Sequence, residues 1–152
     1  MSPATTVFGF PILSFVIFFP AAGAVALLLI PSSRQNAIRW FAFLVSAATF
    51  LASIPLWTAF DAARRGMQFE ERVAWVPGLG ISYHLGVDGI SMLLILMTTF
   101  LTAISILSSF GAITDRVKAY MATLLVLETG MIGVFAALDL VLFYIFWEAV
   151  LI

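Results

Sequence analysis

Residues 7–30 carry no charged side chain, and neither do 40–60 or 89–114. Runs of that length suit membrane-crossing helices, which need about 20 consecutive apolar residues. The chain has 152 residues, of which 63% are hydrophobic and 10% charged. A water-soluble core of that size could not hide so much apolar surface, so the solvent is a lipid bilayer. The expected fold is an all-α polytopic membrane protein with four complete spans, about 7–30, 37–60, 89–110 and 119–138. A fifth, incomplete span covers 140–152, 13 residues against the ~20 needed to cross.

Pro20 lies inside the first span and predicts a kink. Trp40 and Trp57 bracket the second, 17 residues apart, or roughly 25 Å of helix rise, which matches two interfacial aromatic belts. Residues 61–88 hold most of the charge and form an extramembrane loop. It starts as a polar helical or turn segment and continues as W-V-P-G-L-G-I-S-Y-H-L, a short surface hairpin. Asp88 precedes G-I-S-M-L-L and reads as the N-cap of the third span. Asp139 marks a very tight turn into the fifth and reads as a cap or interfacial residue.

Arg34 and Arg39 flank the first connection, and Arg116 and Lys118 the third, so those loops share a side and are assigned to the cytoplasm. Arg64, Arg65 and Arg72 argue the other way from a longer loop, which weighs less. The N-terminus then lies outside. It carries no basic residue before Arg34 and so lacks the n-region of a cleavable signal peptide. A net charge of -1 excludes a nucleic-acid partner bound through a basic patch, leaving the bilayer as the partner that composition implies. Without cysteine the chain itself holds no iron–sulfur cluster or disulfide.

Two carboxylates fall inside spans. Glu148 lies nine residues past Asp139, roughly 13–14 Å of rise, near the midplane of a core about 30 Å thick. Glu128 lies ten residues past Lys118, roughly 15 Å deep. The tight turn makes the fourth and fifth spans antiparallel, so the two sit at similar depth on neighbouring helices. A central carboxylate costs roughly 2.5–3.5 kcal/mol to insert, taking aspartate as proxy. The nine Leu, Val, Ile and Phe residues of 140–152 return roughly 3–5 kcal/mol. The helix therefore inserts, although leucine at 148 would insert better. A carboxylate kept at that cost faces protein or water and commonly carries protons or ions. Glu148 is the main proton-relay candidate. Glu128 is an auxiliary carboxylate or a partner sharing a proton with Glu148. The alternative for both is an acid that hydrogen-bonds a neighbouring helix for packing.

Thr98, Thr102, Ser105 and Ser109 share one face of the third span. They line a hydrated path or form a seam of small polar residues, as Gly130 and Gly133 do in the fourth span. His84, the only histidine, is assigned a structural role in the loop. No metal site, P-loop or dinucleotide fingerprint is present.

Y-H-L-G-V-D-G-I-S-M-L-L (83–94) and L-E-T-G-M-I-G-V-F-A-A-L-D-L-V-L-F-Y-I-F-W-E-A-V-L-I (127–152) closely resemble subunit M of bacterial respiratory complex I and its mitochondrial chain 4 counterpart. Over the first 60 residues the resemblance is one of hydropathy only. The resemblance implies the N-terminal helices of an antiporter-like subunit that moves protons when quinone reduction elsewhere drives it. It implies no redox centre in this chain, with FMN, iron–sulfur clusters and quinone in partner subunits. Other membrane-arm subunits, antiporter-like neighbours among them, are the implied partners, in a bacterial inner membrane with a periplasmic N-terminus. The family's fifth-span glutamate matches Glu148 and pairs with a lysine on a later span, outside these 152 residues. Family members have about fourteen spans, so the chain is expected to be an N-terminal piece that does not pump alone. A subunit of a multisubunit sodium/proton antiporter or membrane-bound hydrogenase is the alternative in the same fold. A non-transporting membrane scaffold is the alternative of another class.

Overall fold

Residues 10–151 are described in the computed structural model. They form five helices: α1 (Ile12–Leu28), α2 (Gln35–Thr58), α3 (Gly89–Ala112), α4 (Val117–Ala136) and α5 (Leu140–Leu151). A two-stranded antiparallel hairpin, β1 (Gln68–Val76) and β2 (Ile81–Val87), stands between α2 and α3. Three helices, α2, α3 and α4, are long and apolar enough to cross a membrane; α1, with 17 residues, and α5, with 12, are shorter apolar helices. The expected starts at residues 7–9 and the end at Ile152 lie outside the described residues.

Pro20 and Pro55 both lie within continuous helices, α1 and α2. The loop before the hairpin takes the turn form of the two expected, and only the start of the hairpin differs. Residues 61–67 form turns rather than a polar helix, and the strands begin at Gln68, seven residues before Trp75. Gln68 closes that turn by accepting from the Asp61 N–H and donating to its carbonyl. A 3-10 turn over Pro77–Leu79 and Gly80, at φ 70°, reverse the chain into β2. That left-handed conformation suits glycine, which has no Cβ to clash.

Helix α4 is the hub and packs against all four other helices. Two glycines let α5 approach it. A Cβ at Gly133 would run into the Phe146 ring, and one at Gly130 would meet Val150. Small residues of this kind are how membrane helices reach close backbone contact.

The core has two apolar clusters. One lies towards the hairpin and includes Leu13, Ile17, Leu56, Leu85, Ile95 and Ile132. The other lies towards the opposite end and includes Leu27, Ile38, Ile106, Met121 and Leu125. Both sides of the bundle are identified by contacts between loops. On the hairpin side, Leu138 N–H donates to the His84 carbonyl and Leu85 bridges Ala137. On the other side, Arg39 donates to the Ile113 carbonyl and Lys118 to the Leu28 carbonyl. The first and third connections therefore share a side.

Gly133→Val places two methyl groups inside the α4–α5 contact and is expected to destabilise the protein by about 1–3 kcal/mol. A lowered thermal midpoint in detergent, with Gly111→Ala (where a Cβ meets nothing) close to wild type, checks it.

Candidate functional site

On α2, α3 and α4 a layer of buried polar side chains separates the two apolar clusters. On α2 it comprises Ser46, Thr49 and Ser53, between Val45 and Leu56. On α3 it comprises Thr98, Thr99 and Thr102, between Leu96 and Ile106. On α4 it is Glu128 and Thr129, between Leu125 and Ile132. Sequence reasoning picked out Thr98, Thr102 and Glu128 from this layer and missed the α2 members. Their i, i+3, i+7 spacing was the available signal.

Glu128 is fully enclosed. Its Oε1 accepts a hydrogen bond from Ser46 Oγ at 3.2 Å, and its Oε2 has no partner. Glu148 sits elsewhere. It is exposed on α5, in a stripe with Val141, Tyr144 and Leu151. The Gly130–Val150 approach puts the two carboxylates at comparable depth, but no hydrogen bond joins them. Proton sharing between them, one of the expectations, is thus not the arrangement found. Helix α4 turns Glu128 to α2 and its glycines to α5.

Two hydroxyls of the α3 seam donate to carbonyls of their own helix. Thr102 donates to the Thr98 carbonyl at 2.9 Å, Ser109 to that of Ile106 at 2.7 Å, and Ser105 is exposed.

Asp88 caps α3. Its Oδ1 accepts from Ile90 N–H at 3.0 Å and Ser91 N–H at 2.7 Å, and Ser91 Oγ in turn accepts from the Asp88 N–H. Those bonds, the Ser91 N–H foremost, hold its carboxyl below the usual aspartate range. Asp139 accepts from Val141 and Leu142 N–H at the start of α5, and from the Ser82 N–H and hydroxyl of β2. The Ser82 N–H is the main reason its carboxyl is also lowered. His84 Nε2 lies 3.1 Å from Glu70 Oε2 on the hairpin.

One carboxylate was missed. Glu71 on β1 accepts from Leu13 N–H at 2.8 Å, from Ser14 N–H and from the Ser14 hydroxyl, which also bonds Tyr83 OH at 2.6 Å. Helix α1 begins at Pro11 without a side-chain cap of its own, and Glu71 supplies one from 57–58 residues away. Burial pushes the Glu71 carboxyl up, against the lowering effect of these hydrogen bonds. In sequence its only mark was E-E-R within a charged loop.

The chain is 49% identical over 146 residues to "NADH-quinone oxidoreductase subunit M" of Rhodobacter capsulatus, covering 93% of this chain and 28% of the relative. It is 43% identical over 140 residues to "NADH-ubiquinone oxidoreductase chain 4" of Arabidopsis thaliana, covering 92% and 28%. With subunit M of Rickettsia conorii the identity is 37% over 147 residues, covering 93% and 30%. No family model matches the chain. The matches fall on the N-terminal portion of these proteins, and the chain spans about 28% of their length. Over more than nine-tenths of its own length the chain is a sequence relative of the subunit M and chain 4 proteins, so the resemblance carried by its motifs extends into the first 60 residues, where hydropathy alone had suggested it. Its apolar helices and these relatives make it a membrane protein.

Glu71→Ala orphans the first N–H groups of α1 and is expected to cost about 1–3 kcal/mol, seen as faster proteolysis at the hairpin, with Glu71→Gln milder. The lowered carboxyls of Asp88 and Asp139 contribute stability that is complete above the ordinary aspartate value of 3.8. That stability is lost as pH falls through their lower folded values. Asn at either position still caps but does not titrate, so thermal midpoints of the Asn variants should fall less steeply than wild type below that pH.

Proposed function

We propose that this chain, a sequence relative of the subunit M and chain 4 proteins, forms the first helices of a proton-translocating membrane-arm subunit of NADH:quinone oxidoreductase. The observation that carries the reading is Glu148. It stands in the motif shared with that family, on an otherwise apolar outward stripe of α5. A carboxylate on such a stripe is too costly to face hydrocarbon, so a protein or water environment covers it. The named relatives extend well beyond the aligned region, and later helices of such a protein are the proposed cover, bringing the lysine that the family pairs with this glutamate. The names of the relatives favour an oxidoreductase subunit over a sodium/proton antiporter or hydrogenase subunit.

In this role Glu148 takes and releases a proton as its cationic partner moves away and back, since a nearby cation favours the charged carboxylate and its withdrawal the neutral acid. Asp88 and Asp139 fix the helix starts on the hairpin side, where they shape access. The chain contributes no redox group. FMN, iron–sulfur clusters and quinone belong to partner subunits, and the neighbours are other antiporter-like membrane-arm subunits. The proposed location is the bacterial inner membrane, with the N-terminus and hairpin on the periplasmic face and Arg34, Arg39, Arg116 and Lys118 on the cytoplasmic face.

Glu148→Gln in the intact protein is expected to lower NADH-driven proton pumping into sealed vesicles by about tenfold or more, with the complex still assembled on native gels. Pumping at the wild-type rate in an assembled Glu148→Gln complex would overturn the relay role and favour a scaffold.

A further inference from the structure

The α2–α4 interface holds a second carboxyl site, built independently of α5. Glu128 and Ser46 are each fully enclosed, and the Ser46 hydroxyl donates to Glu128 Oε1. The other hydroxyls of the surrounding layer behave differently. Thr49 donates to the Val45 carbonyl, Ser53 to Phe50, Thr99 to Leu96 and Thr102 to Thr98. Thr49 and Thr102 spend their protons on their own helix, and Ser53 and Thr99 also meet each other's hydroxyl across α2 and α3 at 3.2 Å, whereas Ser46 turns its proton to a carboxyl group on another helix.

The remaining Glu128 oxygen, Oε2, is enclosed without a partner, and so is the neighbouring Thr129 hydroxyl. Among the described residues the one ion pair is His84–Glu70 on the hairpin, so no cation offsets a charge on Glu128. An ionised carboxylate held in an apolar bundle by a single hydroxyl is far costlier than the neutral acid. One hydrogen bond from serine also suits the carbonyl oxygen of a protonated acid, whose two oxygens have different roles.

We propose that Glu128 and Ser46 form a proton-holding site between α2 and α4. Ser46 marks Oε1 as the acceptor, and Oε2 is the oxygen that carries the exchangeable proton. In loading, a hydronium gives its proton to Oε2 and leaves as water. In unloading, water takes the proton back from the same oxygen. The ligand is a proton, and the site is separate from Glu148, which lies on the exposed stripe of α5 and makes no hydrogen bond to Glu128. This goes beyond the relay at Glu148 and stands or falls without it.

Infrared spectra of the full protein, assembled in its native membrane, test the site in H2O and D2O. Wild type minus Glu128→Gln is expected to contain a protonated-carboxyl C=O stretch that moves to lower frequency in D2O. Ser46→Ala keeps the acid but removes its hydrogen bond, so the same stretch should move to higher frequency. Glu148→Gln should leave it in place. A carboxylate stretch instead of the carboxyl one overturns the proposal, and so does a band unmoved by D2O. If Glu128→Gln fails to assemble, Ser46→Ala decides, because a band that does not move there removes the site. Loss of the band in Glu148→Gln would merge the two carboxylates into one site and overturn the separation, whatever the pumping rate.

Discussion

Every helix end leaves backbone groups without an intrahelical partner, and the fold depends on how those ends are closed. Three helices, α1, α3 and α5, begin on the hairpin side, and each starts against a carboxylate: Glu71, Asp88 and Asp139. Acids at N-terminal helix ends also complement the helix dipole. Two of the three tie the hairpin to the bundle, Glu71 from β1 and Asp139 through Ser82 of β2. On the opposite side α2 and α4 begin at Arg34 and Arg116, with no side-chain cap. Cations there oppose the dipole of their own helix, yet Arg39 and Lys118 donate to carbonyls at the ends of α3 and α1. Basic residues near the starts of α2 and α4 thus close the C-termini of antiparallel neighbours.

That division frees the bundle interior from closing helix ends and leaves one polar layer to account for. In hydrocarbon, hydroxyls that bond their own helix's carbonyls add no unsatisfied donor. They allow α2 and α3 to approach closely, as Ser53 and Thr99 do at 3.2 Å. Glu128 is the exception because it lies on a face of α4, the hub of the bundle, that is covered by α2. The Glu128 side chain is enclosed there, so its chemistry is set by its one hydrogen-bond partner, Ser46.

Much of the helical frame was legible in the sequence, because uninterrupted apolar runs and a good N-cap act locally. Asp88 before G-I-S-M and Asp139 before L-V-L needed only their immediate neighbours to be read as caps. Glu71 could not be read that way. Its partners Leu13 and Ser14 lie 57–58 residues upstream, and β1 has register irregularities on both sides of 71–74 that obscure its alternation. The true length of the hairpin was hidden for the same reason, since polar residues of β1 are held by contacts with distant segments. Ser46 shares an i, i+3, i+7 spacing with Thr49 and Ser53, but that spacing marks only a helix face and does not point to Glu128, 82 residues away, as the partner.

Depth and proximity are separate quantities for two carboxylates on adjacent helices. Counting from the tight turn put Glu128 and Glu148 level, and the contact between Gly130 and Val150 agrees with that. Facing is decided by the 100° step of the helix. Gly130 and Gly133 mark the α5 side of α4, and Glu128 lies roughly 140–200° around the axis from them. The same glycines that suggest a close α4–α5 seam therefore already turn Glu128 away from it, towards α2. On α5, Phe146 fills the groove at Gly133, and Glu148, two residues on, lies roughly 200° away on the outer face. Two acids at one depth thus point in opposite directions from a shared seam, and each must find its own partner.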